Sequence, residues 1–163
     1  MMSSLLTVKD AISLVHENVN SLNQENVILS ECPGRILRQP LVADRALPPF
    51  DRVMMDGIAI NSDGWFAGLR NFLVCGQQMA GHVGASVESM HECVEVATGA
   101  SLPIGTDTVL PIEWVSLIDN QALITPPTEA LVQSGLYVHG KGSDYAKSEE
   151  LVVSGSILNP GEV

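Results

Sequence analysis

The stretch Pro48-Pro49-Phe50-Asp51-Arg52-Val53-Met54-Met55-Asp56-Gly57-Ile58-Ala59-Ile60 sets two carboxylates, Asp51 and Asp56, behind a stiff proline entry. Proline fixes its own φ and drives the preceding residue into an extended conformation, so both acids are held in place. Taken locally, Asp56-Gly57 spells a two-residue hairpin turn between Val53-Met54-Met55 and Ile58-Ala59-Ile60, because both residue types tolerate the positive φ of a type I′ turn. A second stretch, Glu95 to Glu113, reads as a strand, a tight turn at Thr98-Gly99-Ala100, a second turn around Pro103 and Gly105, and a further strand. Turn chemistry accounts for Thr98-Gly99, and Asp144 after Gly142-Ser143 suits a loop acid that satisfies local backbone donors. His91 and Cys93 fall on one face of a strand and with Cys75 imitate a metal site. Three cysteines, far apart and without a Cys-x-x-Cys pair, argue instead for partly buried core residues, a reducing compartment, and neither a disulfide frame nor structural zinc.

These residues need elements to position them. Thr7-Val8-Lys9-Asp10 has the form of a capping box, and Val8, Ala11, Ile12, Val15 and Val19 recur at helical spacing. This predicts a helix over about 8–19 that packs one apolar stripe. Asn26 to Leu29 reads as a strand and Gly34 to Arg38 as a short helical turn. Further strands are expected at 41–43, 58–60, 72–75, 94–96, 109–112, 117–118 and 122–125, with Asp119-Asn120 joining the last two as a hairpin. No repeat or low-complexity tract interrupts this pattern. The fold class is mixed and predominantly β (α+β).

A chain of 163 residues can bury a real core and fits one domain or two small ones. A net charge of −11 opposes a sequence-independent grip on nucleic acid, which depends on Lys and Arg neutralising phosphates. Mean hydropathy is only +0.21, and no uninterrupted apolar run approaches a membrane span. The start, Met1-Met2-Ser3-Ser4-Leu5-Leu6, lacks the basic region and long apolar core of a secretory signal, so a cytoplasmic address is expected.

Taken together, four ordered blocks resemble the molybdopterin molybdotransferase family, the MoeA and gephyrin E-domain proteins. They are the Pro48 to Ile60 and Glu95 to Glu113 stretches, Gly34-Arg35-Ile36-Leu37, and Gly142-Ser143-Asp144 followed by Leu151 and Gly155. The family signatures have the form PPFDxSxMDGYA and TGAxxPxGADxVV, and the match runs over nearly the whole chain. The resemblance implies a two-lobed fold like the MoeA N-terminal region. A β-rich lobe over 46–137, carrying the MDG and TGA motifs, would be inserted into a second α/β lobe made of 1–45 and 138–163.

It also implies chemistry. Adenylylated molybdopterin is cleaved and molybdate is inserted into the dithiolene, with Mg²⁺ bridging anionic oxygens. Asp56, Thr98 and Asp144 match catalytic residues of the family, and Asp56 would hold a metal-bound water or orient substrate. Gly57, Gly99 and Ala100 fall at cofactor-binding positions, with the Gly99 and Ala100 amides meeting an oxyanion. Asp51, Asp107 and Glu113 also lie in the motifs, the last two read as positioning groups, and the metal ligands stay unassigned.

Family members continue past the position of Val163 into a pterin-binding domain. This chain is therefore expected to be the N-terminal part of a homodimeric transferase, inactive alone and without a tightly bound cofactor. The alternative is a short non-catalytic paralogue acting as a dimerisation or protein-binding module. Glu95 where Arg is usual, Ser143 for Glu, Val53 and Met54 for small residues, and a cationic run reduced to His139 and Lys141 all favour a divergent member, since they weaken a site for anions.

Overall fold

The computed structural model describes residues 6–82 and 84–163; the five residues at the start, read above for targeting, lie outside these. The chain divides into two compact units, the residues up to Pro40 together with Val152–Val163, and Leu41–Leu151.

In the first unit Thr7 caps helix α1 (Val8–Asn18), accepting a hydrogen bond from the Asp10 amide at 3.2 Å. The capping box is only half realised, because the Asp10 carboxylate accepts from the Thr7 hydroxyl at 2.6 Å rather than reaching back to the Thr7 amide. The expected apolar stripe forms but is not packed: α1 has no buried residue, and Val8, Ile12 and Val15 stay exposed. Asn26 to Leu29 is not a strand, since its end closes into a 3₁₀ turn (Leu29–Glu31). Gly34 to Arg38 is not helical either, because its backbone pairs with the tail, Gly34 N–H donating to Leu158 O and Leu37 N–H to Ser156 O.

The second unit carries strands β1 (Leu41–Val42), β2 (Arg52–Val53), β3 (Gly57–Ile60), β4 (Asn71–Gln78), β5 (Glu92–Val96), β6 (Thr108–Pro111), β7 (Val115–Ile118), β8 (Gln121–Ile124), β9 (Val138–His139) and, at its end, β10 (Glu150–Val152). Six of them form one sheet in the order β6-β3-β5-β4-β8-β7. All neighbours are antiparallel except β4 and β5, which run parallel. Asp119 and Asn120 turn β7 into β8 with φ of 48° and 61°, the double left-handed geometry of a type I′ hairpin.

Side chains alternate across the central strands, and so does the core. Ile58 and Ile60 point to one face with Trp65, Phe72, Cys93, Leu110 and Ile124, while Ala59 points to the other with Val53, Val94, Val96, Ala100 and Val109. Strands β3 and β6 are buried at every position, so the β6–β3 end of the sheet is covered on both faces. The mostly β class holds. An unanticipated short helix, α2 (Ser62–Phe66), is fixed at its start by Asp107, which accepts from the Ser62 amide at 2.8 Å and hydroxyl at 2.6 Å.

Candidate functional site

Asp56 sits at the end of the sheet, immediately before β3. The hairpin reading of Asp56-Gly57 fails: Gly57 has no positive φ and opens β3, which pairs with β5 and β6, while Arg52 and Val53 pair elsewhere. Glycine is required here for a different reason. A Cβ on Gly57 would lie 1.9 Å from the Leu110 carbonyl oxygen, so only a residue without a side chain lets β6 close against β3. The Asp56 backbone is then held by its own carbonyl, which accepts from the Ile112 amide at 3.0 Å.

Thr98 meets Asp56 from the turn after β5. Gly57 is the register partner of Val96, so that turn falls beside the start of β3. The turn closes with Ala100 N–H donating to Ala97 O at 3.0 Å, and Gly99 takes its third position with φ 86°, where a type II geometry demands glycine. Both the amide and the hydroxyl of Thr98 donate to Asp56 Oδ1, at 2.7 and 2.8 Å. The backbone bond first and the hydroxyl second hold the Asp56 carboxyl below the ordinary carboxylate range, outweighing what little desolvation it suffers. Among the described residues Oδ2 has no hydrogen-bond partner, so an ionised oxygen faces outward from an anchored side chain.

The Gly99 and Ala100 amides are directed inward. Gly99 N–H donates to Val53 O at 2.9 Å and Ala100 N–H to Ala97 O, so as placed both serve the protein backbone. What the turn offers outward is the Thr98 side chain, whose hydroxyl oxygen retains acceptor capacity.

Asp144 lies in a separate constellation built on the β2–β9 ribbon, where Arg52 faces His139 and Val53 faces Val138. His139 Nε2 lies 2.8 Å from Asp144 Oδ1 and 3.1 Å from Ser143 Oγ. Asp51 Oδ1 accepts the Lys141 amide at 2.7 Å, tying the proline segment to the same loop. Among the described residues no side-chain hydrogen bond joins His139, Ser143 or Asp144 to Asp56 or Thr98; the link is the backbone, where Val53 of the ribbon bonds Gly99 and Ala100 of the Thr98 turn. The motifs marked Asp144, and the depleted cationic run marked His139; their contact was not legible. Arg52 occupies a position at which the motif specifies no residue type, and only the strand pairing brings it alongside His139.

Asp107 is a tie within the fold, bonded by Ser62 and by the Ser134 hydroxyl at 2.7 Å, and Glu113 is exposed in the 3₁₀ turn after β6. Cys93 is fully buried and burial pushes its thiol up to about 12, whereas Cys75 and His91 are exposed. No group of three or more His, Cys, Asp or Glu converges among the described residues, so these side chains do not by themselves make a cage for Mg²⁺. No helix among them is long and apolar enough to cross a membrane.

Comparison with known proteins agrees with this fold. The family model of the MoeA N-terminal region (domain I and II) matches residues 6–163. A molybdopterin molybdenumtransferase of Synechocystis sp. is 34% identical over 155 residues, spanning 95% of this chain and 39% of that protein. The corresponding Staphylococcus aureus protein (strain MSSA476) is 29% identical over 162 residues, 97% of this chain and 38% of its own length. The crystal structure of the molybdopterin biosynthesis MoeA protein from Pyrococcus horikoshii OT3 superposes with a TM-score of 0.80 at 27% identity, covering 98% of this chain and 42% of that one. The chain belongs to the MoeA N-terminal-region family and spans about two fifths of the length of these relatives.

Proposed function

We propose that this chain is the N-terminal portion of a molybdopterin molybdenumtransferase and contributes Asp56 and Thr98, with Asp144, to a site for molybdate insertion into adenylylated molybdopterin. The observation that carries the reading is the anchored Asp56 carboxylate, held by Thr98 alone and presenting one free oxygen, inside a family match that runs to the last residue. A carboxyl held below its ordinary range is a poor proton acceptor at neutral pH, so Asp56 serves as a fixed negative charge and hydrogen-bond acceptor that orients substrate or water. Thr98 keeps that charge ionised and aimed. Mg²⁺ would supply charge neutralisation between anionic oxygens, and its cage needs ligands beyond those the described residues bring together. The pterin-binding part, a homodimer and a cytoplasmic setting complete the reading.

The test is Asp56→Asn in the intact enzyme, which preserves size and removes charge. Molybdenum insertion should fall by about 10²-fold or more with the melting temperature unchanged. Full insertion activity in the variant would remove Asp56 from the site. A second reading, a non-catalytic dimerisation or protein-binding module, is favoured by one observation: the Gly99 and Ala100 amides are committed to the backbone rather than open to an oxyanion. Measurable insertion by the intact wild-type protein excludes it.

A further inference from the structure

The contacts around His139 do not fit one protonation state equally well. Nε2 is shared by the Asp144 carboxylate at 2.8 Å and the Ser143 hydroxyl at 3.1 Å. A ring nitrogen bearing hydrogen donates, and the ionised carboxylate is its stronger acceptor. A ring nitrogen without hydrogen accepts, and only Ser143 has a hydrogen to give it. The protonated ring therefore selects Asp144 through a charge-assisted bond, whereas the neutral ring divides its tautomers between the two.

The surroundings let this competition decide where the Asp144 side chain sits. The backbone is fixed on either side: Asp144 N–H donates to Leu47 O at 2.9 Å, and Leu47 N–H donates to Tyr145 O at 2.9 Å. The Asp144 carboxylate, about two fifths exposed, is held among the described residues by His139 alone. The charged groups facing the imidazole are few. Arg52 stands directly across β2–β9 on the same face and makes no ion pair or side-chain hydrogen bond among the described residues. Lys141 lies in the same loop, its amide on Asp51.

We infer that His139 is a positioning residue: its protonation clamps the Asp144 carboxylate, and its neutralisation loosens that clamp by opening Nε2 to the Ser143 hydroxyl in one of the two tautomers. Histidine changes charge within the physiological range, so the clamp answers to pH where a permanent cation at this position would not. The functional weight of the clamp rests on the proposal that Asp144 belongs to the working site, but its existence is tested without turnover.

The experiment is NMR titration of the His139 ring protons and the Asp144 carboxyl carbon in this chain, in the wild type, Asp144→Asn and Ser143→Ala. In the wild type the Asp144 signal should shift at the His139 midpoint. Removing the carboxylate partner should lower the His139 midpoint, since an adjacent anion favours the charged ring. Removing the hydroxyl should raise it, because only the neutral ring accepts from Ser143. An Asp144 signal that ignores the His139 midpoint overturns the clamp without any variant, and so do variants that shift the midpoint in the same direction. Such a failure leaves the proposed function standing. Full turnover by the intact enzyme carrying Asp144→Asn would instead remove Asp144 from the working site and leave the clamp intact.

Discussion

Asp56 and Asp107 are the two aspartates whose carboxyl groups are held below the ordinary range, yet they do different work. Asp107 feels desolvation most, which pushes its carboxyl up, but bonds from the Ser62 and Ser134 hydroxyls and the Ser62 amide together overcome it. Both of its oxygens are used. Asp56 is exposed, and only Oδ1 is engaged, by two donors from one residue. The same electrostatic signature thus arises from a saturated tie and from a half-satisfied one. The free oxygen, rather than the shift, separates a binding group from a structural one.

The largest effect should come from breaking the frame behind Asp56. Gly57→Ala forces a methyl onto the Leu110 carbonyl oxygen at 1.9 Å and should cost about 3 kcal/mol or more, read by chemical denaturation. Asp107→Ala strands the Ser62 amide and two hydroxyls and should cost about 2 kcal/mol after allowance for partial exposure. Equal stability of this variant and the wild type would collapse the contrast with Asp56.

Acid provides a gentler test of the same contrast. Because the folded Asp107 carboxyl is depressed, its stabilisation is fully present above the unfolded carboxylate range and is lost as pH falls through the folded value. The stability gap between wild type and Asp107→Asn should therefore hold from neutral pH down to the ordinary carboxylate range and narrow below it. The smallest effect is the most local one. Thr98→Val keeps the backbone bond to Asp56 and removes the hydroxyl, so carbon-13 titration should show the Asp56 midpoint move up part of the way.

The elements written in local sequence were legible. The capping pattern at Thr7 and the helical spacing after it gave α1 to within a residue, and Asp119-Asn120 gave its hairpin. Features that depend on distant partners were not. Helix α2 is five residues long, too short for periodicity, and is fixed by Asp107, 45 positions away. Strands β2 and β9 are two residues each, and the partners of β2, which are β9 and the Gly99–Ser101 turn, all lie far along the chain. Gly57 was read as a turn glycine, since the close approach of β6 that requires it leaves no trace near residue 57. At the site, the motifs marked Asp56, Thr98 and Asp144, but the Asp56–Thr98 bond spans 42 positions, and the role of Ser143 beside His139 follows only from the fold.

The pairing of β2 with β9 has a consequence for the order in which the site is built. Thr98 must close a loop of 42 positions to reach Asp56, and His139 must close about twice that to lie against Arg52. Doubling a loop adds only about 0.6 kcal/mol of closure entropy, but the two-residue ribbon has few backbone bonds with which to offset it. During synthesis Asp56 and Thr98 can meet while residues 137–144 are still unmade. In the finished protein the His139 side should open first, giving the Met54 amide, which donates to Tyr137 O, weaker protection from hydrogen exchange than the Val96 amide inside the sheet. The two halves of the site are therefore assembled, and come apart, on different clocks.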